Sequence, residues 1–271
     1  GPYLYRSSFG ATTETEECER ALAHLEQMII FEGAHTIAAI LIESVPGTAG
    51  VLVPPKGYLE GIRALCDKYG ILWIADEVMA GFGRTGKWFA FQHAHVQPDL
   101  IVFAKGVTSG YLPLGGVEVS QKIVETFNDR VFPGGLTYSG HPLACATANA
   151  TIDVMKDEKM VENAAMIGEN VIAPALVELA EKHPMIGDVR GQGVFWSLDL
   201  VTDRATREPM APYGSSSPAM NEIVAECKKN GLMPFNNFNR IHLNPPCNIS
   251  VEDAKLGMDM LDRSLTAMAH H

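Results

Sequence analysis

The sequence has 271 residues, 46% of them hydrophobic, with 21 basic and 32 acidic side chains and a formal net charge of -11. At ~100–200 residues per domain, that length allows one large domain or two ordinary ones, with enough apolar content for a core. The acidic balance argues against nucleic acid and anionic membranes as main partners, and no apolar run approaches the ~20 residues of a membrane span or has the form of a signal segment.

In chain order, "ATTETEECERALAHLEQMIIFEGA" reads as a helix. Thr13 caps it, Glu14, Glu16 and Glu17 enrich its first turn, and Ala21, Leu22, Leu25 and Met28 recur at helical spacing. "TIAAILIE" (36–43) is a buried strand and "GYLEGIRALCDKYG" (57–70) an amphipathic helix stopped by Gly70. "ILWIADEV" (71–78) and "DLIVFAK" (99–105) are two more buried strands, and "LGGVEVS" (114–120) is a fourth. Near-continuous apolar strands separated by helix and turn predict an α/β layer with a largely parallel sheet.

From about residue 143 the character changes. A long helical stretch with one interruption runs to His183. "IGDVRGQGVFWSLDLV" is strand-like on both sides of its glycines. Helix "SPAMNEIVAECKKNG", the segment "RIHLNPP" and helix "SVEDAKLGMDMLDRSLTAM" come after it. This predicts a smaller α+β unit, with domains at 1–152 and 153–271.

The five cysteines (Cys18, Cys66, Cys145, Cys227 and Cys247) form no C-x-x-C pair and are odd in number. They read as reduced thiols in a cytoplasmic protein. The opening Gly-Pro and the closing His270–His271 are consistent with a protease scar and a tag remnant, and neither enters the functional reading.

In open α/β sheets, ligands bind beyond the carboxyl ends of the strands. Asp76 closes "ILWIAD" and Lys105 closes "LIVFAK". If these strands are neighbours, both side chains reach one crevice. A lysine there can serve as a nucleophile once burial lowers its pKa from ~10.4 toward ~7–8. Its natural electrophile is the aldehyde of pyridoxal phosphate (PLP), whose ring nitrogen a carboxylate keeps protonated. Position alone leaves the ordinary alternative open: a solvated strand-end Lys and an Asp that caps the next turn.

"WIADEVMAGFGRTGKWFAFQHAHVQPDLIVFAKGVTSGYLPLGGV" resembles the core of the class III (ω-amino acid) aminotransferases, which have the type I PLP-dependent transferase fold. The family pattern is a hydrophobic strand into D-E-V, then G-F-G-R-T-G, then P-D, then a strand into A-K-G. "GGLTYSGHPLACA" (134–146) resembles its T-[FY]-x-G-[NH]-P-x-A-C-A segment, "LIESVPGTAG" its E-P-V-x-G-x-x-G loop, and "VRGQGVFW" (189–196) its R-G-x-G strand. The resemblance covers essentially the whole chain.

That resemblance implies PLP as cofactor, with Lys105 as the Schiff-base lysine and proton carrier and Asp76 at the ring nitrogen. It implies further cofactor contacts from Val78 and Met79. Thr137 would bind the cofactor phosphate of a neighbouring subunit, so a homodimer is expected. Glu43 falls on the family's loop glutamate, facing substrate. The implied reaction moves an amino group from an ω-amino acid, amine or taurine to a keto acid, pyruvate or 2-oxoglutarate. No metal is implied, because His93 and His95 stand in a loop without a Cys or acidic cluster nearby.

Three departures matter. The family's phosphate-binding turn and ring-stacking aromatic lie outside this sequence. Met79 stands where many members have Gln, as also occurs in the pyruvate-linked amine and taurine branch. Thr48 stands where glutamate-switch members have an acid, and His242 where they have the paired Arg. Arg240, two residues earlier, is the alternative candidate for a substrate carboxylate or sulfonate. Arg84 of "GRTG" reads as structural, Cys145 as packing, and Trp73, Trp88 and Trp196 as core. Two rivals remain: another PLP reaction on the same fold, such as an aminomutase or racemase, and a non-catalytic fragment.

Overall fold

The computed structural model describes residues 1–268, so the His270–His271 pair lies outside the described residues. The chain forms two compact units. The first comprises Gly1–Val45, Pro54–Phe82 and Trp88–Lys159; the second comprises Pro46–Val53, Gly83–Lys87 and Met160 onward.

In the first unit, helix α1 spans Glu14–Glu32 and starts as expected, with the Thr13 hydroxyl accepting the Glu16 N–H at 3.2 Å. Helix α2 (Tyr58–Tyr69) ends at Gly70 in the left-handed conformation. Strands β1 (Ala39–Glu43), β2 (Leu72–Asp76) and β3 (Leu100–Phe103) are parallel neighbours, and β4 (Gly116–Val119) closes the sheet antiparallel to β3. The short helix α3 (Gln121–Val124) and the long helix α4 (Pro142–Asp157) come next. The sequence placed the domain boundary near residue 152; α4 runs unbroken through that point, and the first unit extends to Lys159.

One face of this sheet is covered. Trp73, Ala75 and Ile101 share a buried core with Ile29 of α1 and with Leu59, Ile62 and Cys66 of α2. The opposite face carries Leu41, Glu43, Ile74, Asp76, Leu100 and Val102 in register. Here the reading of 36–43 as a buried strand is corrected for one side: Leu41 is 58% exposed and Glu43 is exposed too. The reason is that the core contributed by α1 and α2 lies on the Trp73 side only.

Asp99 sets the start of β3 against β2. Its carboxylate accepts the Trp73 N–H at 2.9 Å and Arg63 of α2 at 2.7 Å, and its own N–H donates to the Trp73 carbonyl at 2.9 Å. Burial alone would push the Asp99 carboxyl up; the Trp73 N–H and Arg63 outweigh it and hold the group below its ordinary value.

The second unit begins its own helical run with α5 (Met160–Ile167). The interruption expected from sequence falls at Glu158–Lys159, where Lys159 takes a left-handed φ of +51°, whereas Gly168–Ile172 is a wider, i→i+5-bonded turn that continues the helix. Helix α6 (Ala173–Lys182) continues from it. A Cβ on Gly168 would lie 2.1 Å from the Gly193 carbonyl oxygen, so the glycine permits a close backbone approach.

Strands β5 (Ile186–Gln192) and β6 (Phe195–Asp203) flank Gly193, and the two-residue strand β7 (Glu208–Pro209) pairs with β6. Helix α7 (Pro218–Lys229), strands β8 (Phe235–Asn237) and β9 (Arg240–Leu243) and helix α8 (Val251–Met268) complete the unit. Its antiparallel sheet has the order β5-β6-β9-β8. Leu198, Leu200, Ile241 and Leu243 pack with Leu176 of α6, Ile223 of α7 and Leu261 and Leu265 of α8.

Trp73 is buried as expected, whereas Trp88 and Trp196 are half-buried, Trp196 donating its indole N–H to the Gly193 carbonyl at 2.6 Å. Cys145 is half-buried in α4, and none of the five cysteines is in a disulfide.

Candidate active site

Parallel register puts the last residues of the central strands side by side. Glu43 of β1 lies opposite Asp76 of β2, and Asp76 lies opposite Val102 of β3. Directly paired residues share a face, so Glu43 and Asp76 present two carboxylates to the open side of the sheet at its carboxyl edge. Asp76 is half-buried, and its Oδ1 accepts the Val78 N–H at 2.9 Å. This short loop closure orients the carboxylate as the chain leaves β2. Val78 and Met79 are half-buried in the turn just beyond it.

Lys105 stands just past β3, so the neighbouring strands expected from sequence bring Asp76 and Lys105 to one edge. The expected burial of the lysine is corrected: Lys105 is exposed. β3 ends at Phe103, before the lysine is reached, and the chain turns into a 3-10 turn over Lys105–Thr108. Lys105 has φ +47°, the left-handed region. For a non-glycine residue that conformation costs roughly 1–3 kcal/mol, and such strain concentrates at functional positions. Gly106 allows the turn to lie against Phe82, whose Cβ would be 2.8 Å from a Cβ placed there.

Thr137 is exposed within 131–140, a stretch that is exposed throughout. No hydrogen bond among the described residues joins it to Asp76 or Lys105. Val131 (90% exposed) and Tyr138 (81%) lie in the same stretch.

Arg240 belongs to the second unit, on β9. Cross-strand register gathers Asp188 and Arg190 of β5, Ser197 and Asp199 of β6, and Arg240 and His242 of β9 on one face of that sheet. Asp199 is fully buried, with its Oδ2 3.8 Å from Arg190 and 3.7 Å from Arg240. The 46–53 loop lies over this face. Arg190 Nε donates to the Gly50 carbonyl at 2.6 Å, and Asn237 donates to the Thr48 carbonyl at 3.0 Å. Arg240 is thus held beside a buried acid, which gives it a structural role in addition to any contact with substrate. His242, buried beside the two arginines, has its imidazole pushed down to about 4, by burial first and by Arg190 and Arg240 next. It is a neutral residue where glutamate-switch members have a cation.

Arg84 performs the structural role read from the sequence, donating to the Val194 and Pro245 carbonyls within the second unit. Sequence reasoning missed two buried groups in the first unit, Ser44 and Glu77, and the buried Asp199 in the second. Strand alternation was the available signal for Glu77: if Asp76 faces the open side, the next residue must turn to the other. Its donors come from distant segments and carry no local mark.

Residues 3–265 match the model of the family Aminotransferase class-III. This chain belongs to the class III aminotransferases. It is 39% identical over 236 residues to the taurine–pyruvate aminotransferase of Bilophila wadsworthia, covering 85% of this chain and 50% of that protein. It is 40% identical over 233 residues to the putrescine–pyruvate aminotransferase of Pseudomonas aeruginosa, covering 86% and 50%.

Among solved structures, the taurine:2-oxoglutarate aminotransferase of Bifidobacterium kashiwanohense, in complex with PLP and glutamate, superposes with a TM-score of 0.94 at 42% identity. That match covers all of this chain and 61% of the other. An (S)-enantioselective ω-transaminase from Thermomicrobium roseum matches with a TM-score of 0.87 at 41% identity, over 99% and 59%. The class III chain therefore has the type I transferase fold, and it spans about half the length of the curated relatives it matches. Among its described residues, no helix is long and apolar enough to cross a membrane.

Proposed function

We propose that the protein to which this chain belongs is a PLP-dependent aminotransferase that moves an amino group from an ω-amino acid, amine or taurine to a keto acid, pyruvate or 2-oxoglutarate. One observation carries the reading: Asp76 and Lys105 stand at the carboxyl edge of adjacent parallel strands, with Asp76 on an open sheet face. The relatives' named reactions, taurine–pyruvate, putrescine–pyruvate and taurine:2-oxoglutarate transfer, supply the substrate class.

The donor set fits PLP. An exposed primary amine on one strand end serves the aldehyde, and an oriented carboxylate on the next serves the ring nitrogen. The open face beside them leaves room for a planar ring. Bound there, the cofactor supplies an electron sink for the carbon that carries the donor's amino group.

The chain's own residues do the rest. Lys105 would hold the aldehyde and, as a free amine, would carry the proton to and from the reacting carbon. Asp76 keeps positive charge on the ring nitrogen. Val78 and Met79, in the turn beside Asp76, would contact the ring, Met79 through an apolar side chain. Glu43 faces the donor, and Arg240 serves a carboxylate or sulfonate.

The exposed stretch with Thr137 belongs to a homodimer interface, where Thr137 binds the cofactor phosphate of the other subunit. Large apolar side chains left in water, such as Val131 and Tyr138, favour a covered position in an assembly. The proposed compartment is the cytoplasm, in keeping with cysteines that form no disulfide.

The test is donor-dependent chemistry by the full-length protein loaded with PLP. Taurine or an ω-amine with pyruvate or 2-oxoglutarate should yield alanine or glutamate in step with the carbonyl product. Conversion of the donor without a keto acid, or into its isomer, would support an aminomutase or racemase instead. No conversion of any ω-amine or taurine would reject the reading.

A further inference from the structure

The backbone ladder between β1 and β2 ends at the pair Glu43–Asp76. Those are the two carboxylates that face the open side. Residues at the last rung of a ladder are held less firmly than those within it, so their placement depends on how the next residues of each strand are anchored.

Those next residues, Ser44 and Glu77, form a second, buried pair. Both turn to the covered side, 1% and 0% exposed. The Ser44 hydroxyl donates to Glu77 Oε1 at 2.5 Å. The same oxygen accepts the Phe91 N–H at 3.0 Å, and Oε2 accepts the Ala90 N–H at 2.8 Å. The Glu77 backbone N–H donates to the Val102 carbonyl at 2.8 Å. One residue thus ties the carboxyl ends of β1, β2 and β3 together and fastens them to the 3-10 turn Ala90–Ala94.

A buried carboxylate needs such donors. Burial pushes the Glu77 carboxyl up, while Ser44, Ala90 and Phe91 favour its charged form. Removing one donor leaves the others unable to compensate fully, so the bridge is a rigid constraint and not an interchangeable surface contact.

We propose that Ser44 and Glu77 are positioning residues, whose buried hydrogen bond fixes the spacing of Glu43 and Asp76 and so aims the Asp76 carboxylate at the cofactor ring nitrogen. This rests on the functional reading above. Neither side chain touches the open face; both act through the residue that precedes them in the chain.

The test uses the full-length protein loaded with PLP and carrying Ser44→Ala, Ser44→Cys or Ser44→Thr. Thermal melting checks folding. Visible absorption of the lysine-bound cofactor across pH, and the Kd for PLP, report the ring's environment without any turnover. A small misplacement of a catalytic group costs on the order of tenfold or more, so Ser44→Ala and Ser44→Cys should weaken PLP binding by about tenfold. They should also move the pH profile of the absorption band, while Ser44→Thr, which keeps the hydroxyl, restores both.

Unchanged Kd and pH profile in Ser44→Ala or Ser44→Cys would overturn the proposal. So would a collapse of folding in both variants, which would make the bridge a support of the whole sheet. A wild-type protein that takes up no PLP on Lys105 would reject the functional reading itself, and the proposal with it.

Discussion

Lys105→Ala is expected to abolish amine transfer by the full-length protein, lowering turnover by at least about four orders of magnitude. The lysine has two tasks in the proposed reaction, as covalent anchor of the cofactor and as proton carrier. Proton transfer alone contributes typically ~10²–10⁴-fold, and the covalent task adds to it. The loss should come with little change in stability. Lys105 is exposed, and an alanine inherits the same left-handed backbone, so unfolding should stay within about 0.5 kcal/mol of wild type. Lys105→Arg separates charge from chemistry, because it keeps the cation but cannot form the link to an aldehyde. Steady-state turnover and thermal melting check both statements. Turnover within tenfold of wild type in either variant would contradict them.

The second large effect is a loss of stability in mild acid caused by His242. The imidazole faces Arg190 from β5, Ser197 and Asp199 from β6, Arg240 on its own strand and the Phe235 ring of β8, whose centroid is 5.1 Å away. Its folded pKa is about 4 against an ordinary 6.5. The fold therefore favours the neutral form. Its contribution is complete above pH ~6.5, where both folded and unfolded chains hold neutral His. It falls as the pH drops from about 6.5 to 4, because the unfolded chain takes up a proton that the folded chain refuses. The full shift corresponds to about 3 kcal/mol. Denaturant unfolding at pH 7 and near pH 4.5 should show His242→Leu losing most of that dependence relative to wild type. Parallel pH profiles for the two proteins would contradict the assignment.

The placement of the candidate pair was legible in the sequence where local pattern and chemistry coincide. Asp76 and Lys105 each close an apolar run, and strand ends are where such residues become useful. The strands themselves were legible from the same runs, although β1 begins at Ala39 because Ala34–Thr36 forms a turn. Exposure of the outer face was not legible. Leu41 and Ile74 are as apolar as the residues of a covered face, and only the placement of α1 and α2 distinguishes the two.

Nor did local pattern mark the loops that join the second unit. Pro46–Val53 and Gly83–Lys87 carry family motifs, but nothing in those motifs says that they join the second unit. Arg190 and Asn237 hold the first through the Gly50 and Thr48 carbonyls, and close backbone approach holds the second. A Cβ on Gly193 would lie 2.4 Å from the Thr85 carbonyl carbon, and one on Gly86 would lie 2.9 Å from Ala165. The Ser44–Glu77 bridge was hidden for a related reason. Its partners are 33 residues apart in the chain, and its remaining donors are backbone N–H groups that any residue would supply.

Borohydride reduction of the full-length protein with bound PLP, followed by peptide mass mapping, tests the central claim most directly. Reduction turns the lysine–cofactor link into a stable adduct. The account predicts a pyridoxyl group confined to Lys105, and absent from Lys105→Ala. Labelling scattered over several lysines, or a single adduct on another lysine, would contradict it.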